Sequence, residues 1–318
     1  MGTETTDFIV PYGVLSASGV ADVFALGTER GPIEMMPALR IAPQATIDEF
    51  DARFPEGADY VIVPAVHKAD DVRLVGWVRA QAGKGAVVVG ICDGVWVVAN
   101  AGLLSGHRAT GHWYSLDDLQ RKFSATTWTR NRRYVADVSV VTTTGVTSSI
   151  PASLALVEAI AGSERAAQVA QEIGAADWSP AHDSNDFKLD SHLIFAAARN
   201  RLSFWSHETV GIPVHPGSDE VSLALVADAY SRTYRSQALM VSTGAGEIRS
   251  LHGLILVPDT AGKPDRMLPA FDGMRPVQAL DWALDGIADS YGASTAEFVA
   301  MQIEYPAQPW TTVANTSH

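Results

Sequence analysis

Apolar and polar positions alternate in blocks along the first half of the chain. Tyr60–Pro64 and Ala86–Ile91 are short apolar runs that predict buried parallel strands. Between them, Asp70–Ala82 carries apolar residues at helical spacing. A further strand is predicted over Val138–Thr144 and a further helix over Ile150–Ala161. Strands that alternate with helices predict βαβ units and a mostly parallel sheet, which is typical of an α/β fold.

A similar but shorter pattern returns in the second half. Residues 176–200 are polar and predict a connector. Beyond it the pattern predicts strands and helices in turn, over Val210–Val214, Val221–Tyr230, Ile255–Pro258, Ala279–Ile287 and Thr295–Ile303.

Two pairs of segments resemble each other across the halves. Residues 36–43 resemble 251–258, and residues 155–161 resemble 283–288. A chance match between apolar segments is one explanation, and a truncated, degenerate repeat is the one we favour. We therefore predict a first domain over 1–175, a connector over 176–204 and a half-repeat over 205–318. The half-repeat would pack on the first domain as an internal pseudo-dimer.

Composition and charge narrow the function classes. The 318 residues are 47% hydrophobic and carry a formal net charge of −13, so nucleic acid is not the expected partner, because phosphate binding needs a basic face. The single cysteine excludes an internal disulfide, and nine scattered histidines give no metal-ligand spacing. We therefore expect no metal and no cofactor. Without a signal sequence or a membrane-length apolar run, we expect no membrane partner and a cytoplasmic location.

The one cysteine stands where a strand runs directly into an apolar helix. Gly90 and Gly94 flank Cys92 at this junction. A tight strand-to-helix turn forces a strained backbone on its apex residue and exposes that side chain above the sheet. The following N–H groups would favour a thiolate and stabilise an oxyanion. The plainer alternative is an inert core cysteine.

These residues resemble the ThiJ/PfpI superfamily of class I glutamine amidotransferase-like proteins. The similarity lies in residues 90–94, in the segment 101–113 that ends in His112-Trp113, and in the turn 145–150. The branch that it resembles most contains isonitrile hydratases and amidase-type regulators. The resemblance extends over roughly residues 2–175. It implies a flavodoxin-like three-layer αβα sandwich with Cys92 at the carboxyl edge of the sheet.

The resemblance also implies partners for Cys92. Asp7, four residues before Pro11, takes the place of the family's acid and would contact the sulfur, although helix capping is the alternative for this residue. It would be protonated beside a thiolate. His112 is a candidate base and His67 a second one, while a structural role is the alternative for a lone histidine.

Three departures from the family pattern matter. Ala65 and Val66 replace a Gly-Gly pair whose backbone N–H serves as an oxyanion donor in many relatives. Asp93 follows the cysteine where peptidase-like members have histidine, so peptidase activity is not expected, and its charge would raise the thiol pKa. No apolar strand precedes Asp7, so further N-terminal sequence, which could change the location, or Val210–Val214 would supply the first strand.

Two function classes follow from these residues. The first is a cysteine-dependent hydrolase or lyase that acts on a small C–N or carbonyl compound through Cys92, assisted by Asp7. The second is a non-catalytic sensor of a ligand or oxidant. A third, weaker possibility is a stress-response protein whose cysteine becomes sulfinic acid. The expected partner is a small molecule, and the assembly is either a homodimer or the internal pseudo-dimer.

Overall fold

A computed structural model describes residues 2–184, 187, 190–244, 246–260, 262–306 and 310. The helices are α1 (Thr5–Ser18), α2 (Ile47–Arg53), α3 (Val72–Gly83), α4 (Val95–Asn100), α5 (Leu116–Lys122), α6 (Ser149–Ala161), α7 (Ser163–Ile173), α8 (Ser191–Leu202), α9 (Glu220–Ser231), α10 (Pro276–Tyr291) and α11 (Ala293–Gln302). The strands are β1 (Thr3–Glu4), β2 (Leu26–Gly27), β3 (Ile33–Met36), β4 (Arg40–Ala42), β5 (Ala45–Thr46), β6 (Tyr60–Val63), β7 (Val87–Gly90), β8 (Arg108–Ala109), β9 (Thr127–Trp128), β10 (Tyr134–Asp137), β11 (Val140–Thr143), β12 (Glu208–Val214), β13 (Ser236–Ser242), β14 (Ile248–Arg249), β15 (Ile255–Leu256) and β16 (Arg266–Met267).

The strand β7 lies at the centre of a three-layer arrangement. It pairs in parallel with β6 on one side and β11 on the other. Val88 points into a cluster with residues of α3 and α4, while its neighbour Val89 packs with residues of α1 and α6. Adjacent strand residues point to opposite faces, so a strand buried on both sides must be apolar throughout. The predicted α/β sandwich with a mostly parallel sheet is confirmed.

The predicted connector contains a helix. Residues 176–200 were predicted as a polar connector, and α8 begins within them at Ser191, where Asp190 caps the helix by accepting a hydrogen bond from Leu193 N. Only Leu193, Ala196 and Asn200 of this helix are buried. So narrow a buried face gives a weak periodic signal.

The second half packs directly on the first. The helix α1 lies against both α6 and α9, and one hydrophobic core contains residues of all three. The strands β4 and β15 pair antiparallel, and Ile41 stands opposite Leu256. These two residues hold the same place in the similar segments 36–43 and 251–258. Equivalent residues that face each other indicate a local two-fold relation, as in a symmetric dimer. The proposed boundaries near 175 and 204 stay predictions.

One expectation about the first strand is wrong. Val210–Val214 does not complete the sheet beside β6, because β12 pairs with β13 and β16 instead.

A cavity of about 950 Å³ lies along Tyr60–Val63, and Asp7 also lines it. Within the described ranges, no helix is both long and apolar enough to cross a membrane.

Candidate functional site

Cys92 occupies a strained turn at the carboxyl end of β7. The strand ends at Gly90, and Cys92 begins a 3-10 turn that leads into α4. Its φ of +51° lies in the left-handed region, which a residue with a side chain rarely adopts. Its N–H donates to Thr143 Oγ1 at 3.0 Å, so the next strand fixes the apex. The structure thus has the elbow predicted from the Gly-x-Cys-x-Gly pattern.

Close backbone approaches explain the flanking glycines. A Cβ at Gly94 would lie 2.0 Å from Val63 O, at the end of β6. A Cβ at Gly90 would lie 3.0 Å from Val98 Cγ2 and 3.1 Å from Val95 Cα. The turn therefore leaves no room for a side chain at Gly94, whereas a side chain at Gly90 would require Val95 and Val98 to shift by a few tenths of an ångström.

Asp7 is a buried acid in the first turn of α1. The helix cap is Glu4, whose side chain accepts a hydrogen bond from Asp7 N, so the capping alternative for Asp7 is wrong. Asp7 Oδ2 accepts from Ala65 N at 3.2 Å, and Oδ1 has no hydrogen-bond partner among the described residues, so the predicted hydrogen bond to the Cys92 sulfur is absent from the described structure. Burial raises the pKa of Asp7 to about 8, although the Ala65 N–H opposes the shift. The group is therefore mostly protonated at neutral pH.

The surroundings keep Cys92 in its thiol form. Burial raises the pKa of Cys92 well above its usual value, and the charges of Asp7 and Asp93, followed by those of Glu4 and Glu304, raise it further. The expected thiolate-favouring effect of the helix start is thus outweighed, because α4 spans only Val95–Asn100 and carboxyl groups surround the sulfur. Asp93 raises the pKa of Cys92, which is the direction that the sequence analysis predicted.

A buried ionic network joins the two halves beneath this site. Arg232 Nη2 lies 2.5 Å from Glu4 Oε1, and its Nε lies 2.7 Å from Asp228 Oδ1. Thr6 Oγ1 donates to the other Asp228 oxygen at 2.8 Å. Burial would lower the pKa of Arg232, but Asp228 and Glu4 raise it, so the guanidinium stays charged. No local sequence pattern indicates this network, because Glu4 and Thr6 lie more than 200 positions from Asp228 and Arg232.

Glu304, also missed by the sequence interpretation, reaches the same region from the end of α11. Its carboxylate lies 3.0 Å from His182 Nε2 and 3.7 Å from His112 Nε2. Burial alone would raise the pKa of Glu304, but the two histidines and Gly145 N–H lower it below its usual value. His112 therefore faces a buried anion from the second half.

The remaining predicted residues line the edge of the site. Ala65 N–H donates to Asp7, so this N–H is not free to stabilise an oxyanion. Val66 is bridged to Thr3, and the exposed His67 donates its N–H to Gly2 O. Asp93 keeps a buried Oδ1 without a hydrogen-bond partner in the described structure.

The chain is similar to known proteins, and the family match includes Asp7, Cys92 and His112. The DJ-1/PfpI family profile matches residues 1–159. Isonitrile hydratase of Pseudomonas putida is 27% identical over 204 residues, which cover 63% of this chain and 86% of that protein. The HTH-type transcriptional regulator CdhR of Pseudomonas aeruginosa is 35% identical over 99 residues, covering 31% of this chain and 29% of that protein. The crystal structure of Drosophila melanogaster DJ-1beta has a TM-score of 0.49 at 19% identity, covering 55% of this chain and 95% of that chain.

Proposed function

Since the chain belongs to the DJ-1/PfpI family, we propose that it is a cysteine-dependent hydrolase or lyase acting on a small C–N or carbonyl compound. The observation that carries this proposal is the strained Cys92 turn, with φ of +51°, beside a buried acid whose pKa is raised to about 8. Strain of this kind concentrates at reacting groups. The similarity to an isonitrile hydratase supports the C–N substrate class.

The thiol and the protonated acid suit addition to a polarised carbon. Cys92 Sγ forms a bond to the electrophilic carbon, and the thiol proton passes to the nitrogen of a nitrile, to the oxygen of a carbonyl compound, or to the attacked carbon itself in an isonitrile. A neutral carboxyl can accept this proton on one oxygen while it donates from the other, so Asp7 can carry the transfer without a charged intermediate. Water then attacks the same carbon, the C–S bond breaks, and sulfur regains a proton.

The test is a panel of small nitriles, isonitriles and dicarbonyls, assayed for turnover together with iodoacetamide labelling of the thiol. Cys92→Ser should abolish both signals without unfolding the protein, because the change is nearly isosteric. Ser222→Ala, at the equivalent place in the second half, should keep both. The proposal fails if Cys92→Ser retains turnover, or if folded wild-type protein turns over none of these compounds and resists labelling.

A sensing function is the second candidate, favoured by one observation. Cys92 is 7% exposed and its thiol pKa is raised, which disfavours spontaneous nucleophilic attack. Stoichiometric binding or oxidation of Cys92 without turnover of any panel compound would support this alternative.

A further inference from the structure

Glu304, like Cys92, is a buried residue whose backbone lies in the left-handed region. Its φ is +53°, its side chain is 1% exposed, and it follows α11 in the second half. A charged residue in the left-handed region costs free energy and persists only where the surroundings fix it. Here the conformation places the carboxylate in the first half.

Two segments of the first half contact Glu304, one at its side chain and one at its backbone carbonyl. Gly145, two residues after Thr143, packs so closely that a Cβ there would lie 2.6 Å from Glu304 Cγ and Cδ. Thr147 Oγ1 donates to Glu304 O at 2.9 Å. Thr143 in turn accepts from Cys92 N. The contacts therefore lead from Glu304 through the end of β11 to the elbow.

One ring nitrogen of His112 accepts a hydrogen bond, and the other faces Glu304. Tyr114 N donates to His112 Nδ1 at 3.3 Å, which leaves the ring proton on Nε2, and Nε2 faces Glu304 Oε1 at 3.7 Å. A ring nitrogen that already accepts a hydrogen bond is a poor acceptor for the thiol proton of Cys92. The geometry therefore favours His112 as a partner of Glu304, and its role as a base stays a prediction.

We propose that Glu304 is a positioning residue of the Cys92 site, supplied by the second half, which fixes the His112 loop and the turn at Gly145 and places a negative charge near the thiol. This inference rests on the proposed role of Cys92 as the reacting group. It is tested on thiol ionisation alone, so it stands or falls separately from any substrate.

Glu304 is one of several charged groups that act on the pKa of the Cys92 thiol. Cys92 also faces the carboxyl groups of Asp7, Asp93 and Glu4, and its charge interacts with Arg232. Glu304 itself faces His112 and His182. Because the charge of Glu304 raises the Cys92 pKa, its removal makes the thiolate accessible at lower pH.

The experiment is the pH profile of iodoacetamide alkylation of the folded full chain. Glu304→Gln should move the alkylation midpoint to lower pH, making the reaction about threefold faster below the midpoint, since thiolate fraction changes tenfold per pH unit there. Glu304→Asp keeps the charge and should stay close to wild type. Glu297→Gln removes one charge from α11 away from the site and should change nothing.

Two outcomes would overturn the proposal. One is an unshifted midpoint for folded Glu304→Gln. The other is a Glu304→Asp midpoint displaced as far as that of the glutamine variant, because then loss of shape and not loss of charge moves the thiol.

Discussion

The helices α1 and α9 begin in the same way but face different surroundings. In α1, Glu4 caps the helix and accepts from Asp7 N at 2.6 Å. In α9, Asp219 caps the helix and accepts from Ser222 N at 2.7 Å. Asp7 and Ser222 are thus both the third helical residue, and each keeps one buried side-chain oxygen without a hydrogen-bond partner in the described part of the chain.

The two positions differ in what lies opposite them. Asp7 lies in the electrostatic surroundings of Cys92, whereas Ser222 lines a cavity of about 350 Å³ in a half that contains no cysteine. The second half instead sends Arg232 and Glu304 towards the first. The two helices therefore place their third residue in the same way, and the residues that face it determine whether that position can take part in the chemistry of Cys92.

Breaking the ionic network between the halves should have the largest effect. Arg232→Met leaves Glu4 and Asp228 buried without their cation, which we expect to lower the free energy of unfolding by about 3 kcal/mol or more. Denaturant unfolding measures this. The matched control is Arg30→Met, which removes an exposed ion pair with Glu49 within the first half and should cost under about 1 kcal/mol. Equal losses for both variants would contradict the coupling of the halves.

The elbow could be predicted from sequence because its cause is local. A β-branched strand, two glycines and an apolar helix within fifteen residues need only one turn geometry, and the structure has it at Cys92. The same holds for the strands and helices with strong periodicity. Pairings such as Arg232 with Glu4 depend on how the halves dock, and no local pattern encodes a contact over 228 positions.

The place of β12 failed for a related reason. An apolar strand fits any open sheet edge, and Val210–Val214 satisfied that requirement, yet its partner is β13, which follows after a single helix. A nearby partner costs less loop-closure entropy than a distant one. Sequence pattern identifies a strand far more readily than it identifies the neighbour of that strand.

A substitution at Gly94 tests the Cys92 turn, a feature of the first half for which the second half has no cysteine. Gly94→Ala forces a Cβ to 2.0 Å from Val63 O, and we expect it to lower the free energy of unfolding by about 1–3 kcal/mol and to slow Cys92 alkylation. Gly76→Ala is the control, since a Cβ there meets no described atom within 4 Å and an exposed helical glycine gains about 0.5–1 kcal/mol on replacement. A neutral Gly94→Ala would show that the turn relaxes.

The smallest expected effect is a change in stability with pH, which should depend on Asp7 and not on Ser222. A carboxyl whose pKa rises to about 8 on folding stabilises the native state fully below its unfolded pKa, near 4, and loses that contribution as pH rises through 8. Asp7→Asn keeps an acceptor for Ala65 N but cannot ionise, so its stability relative to wild type should grow between pH 5 and pH 9. We expect about 1–2 kcal/mol, because burial and the charge of Asp7 also raise the pKa of Glu4, so the Asp7→Asn variant retains part of the pH dependence. Ser222→Ala should shift stability equally at both pH values. A parallel pH response in wild type and Asp7→Asn would mean that Asp7 is ionised at neutral pH and cannot donate a proton at Cys92.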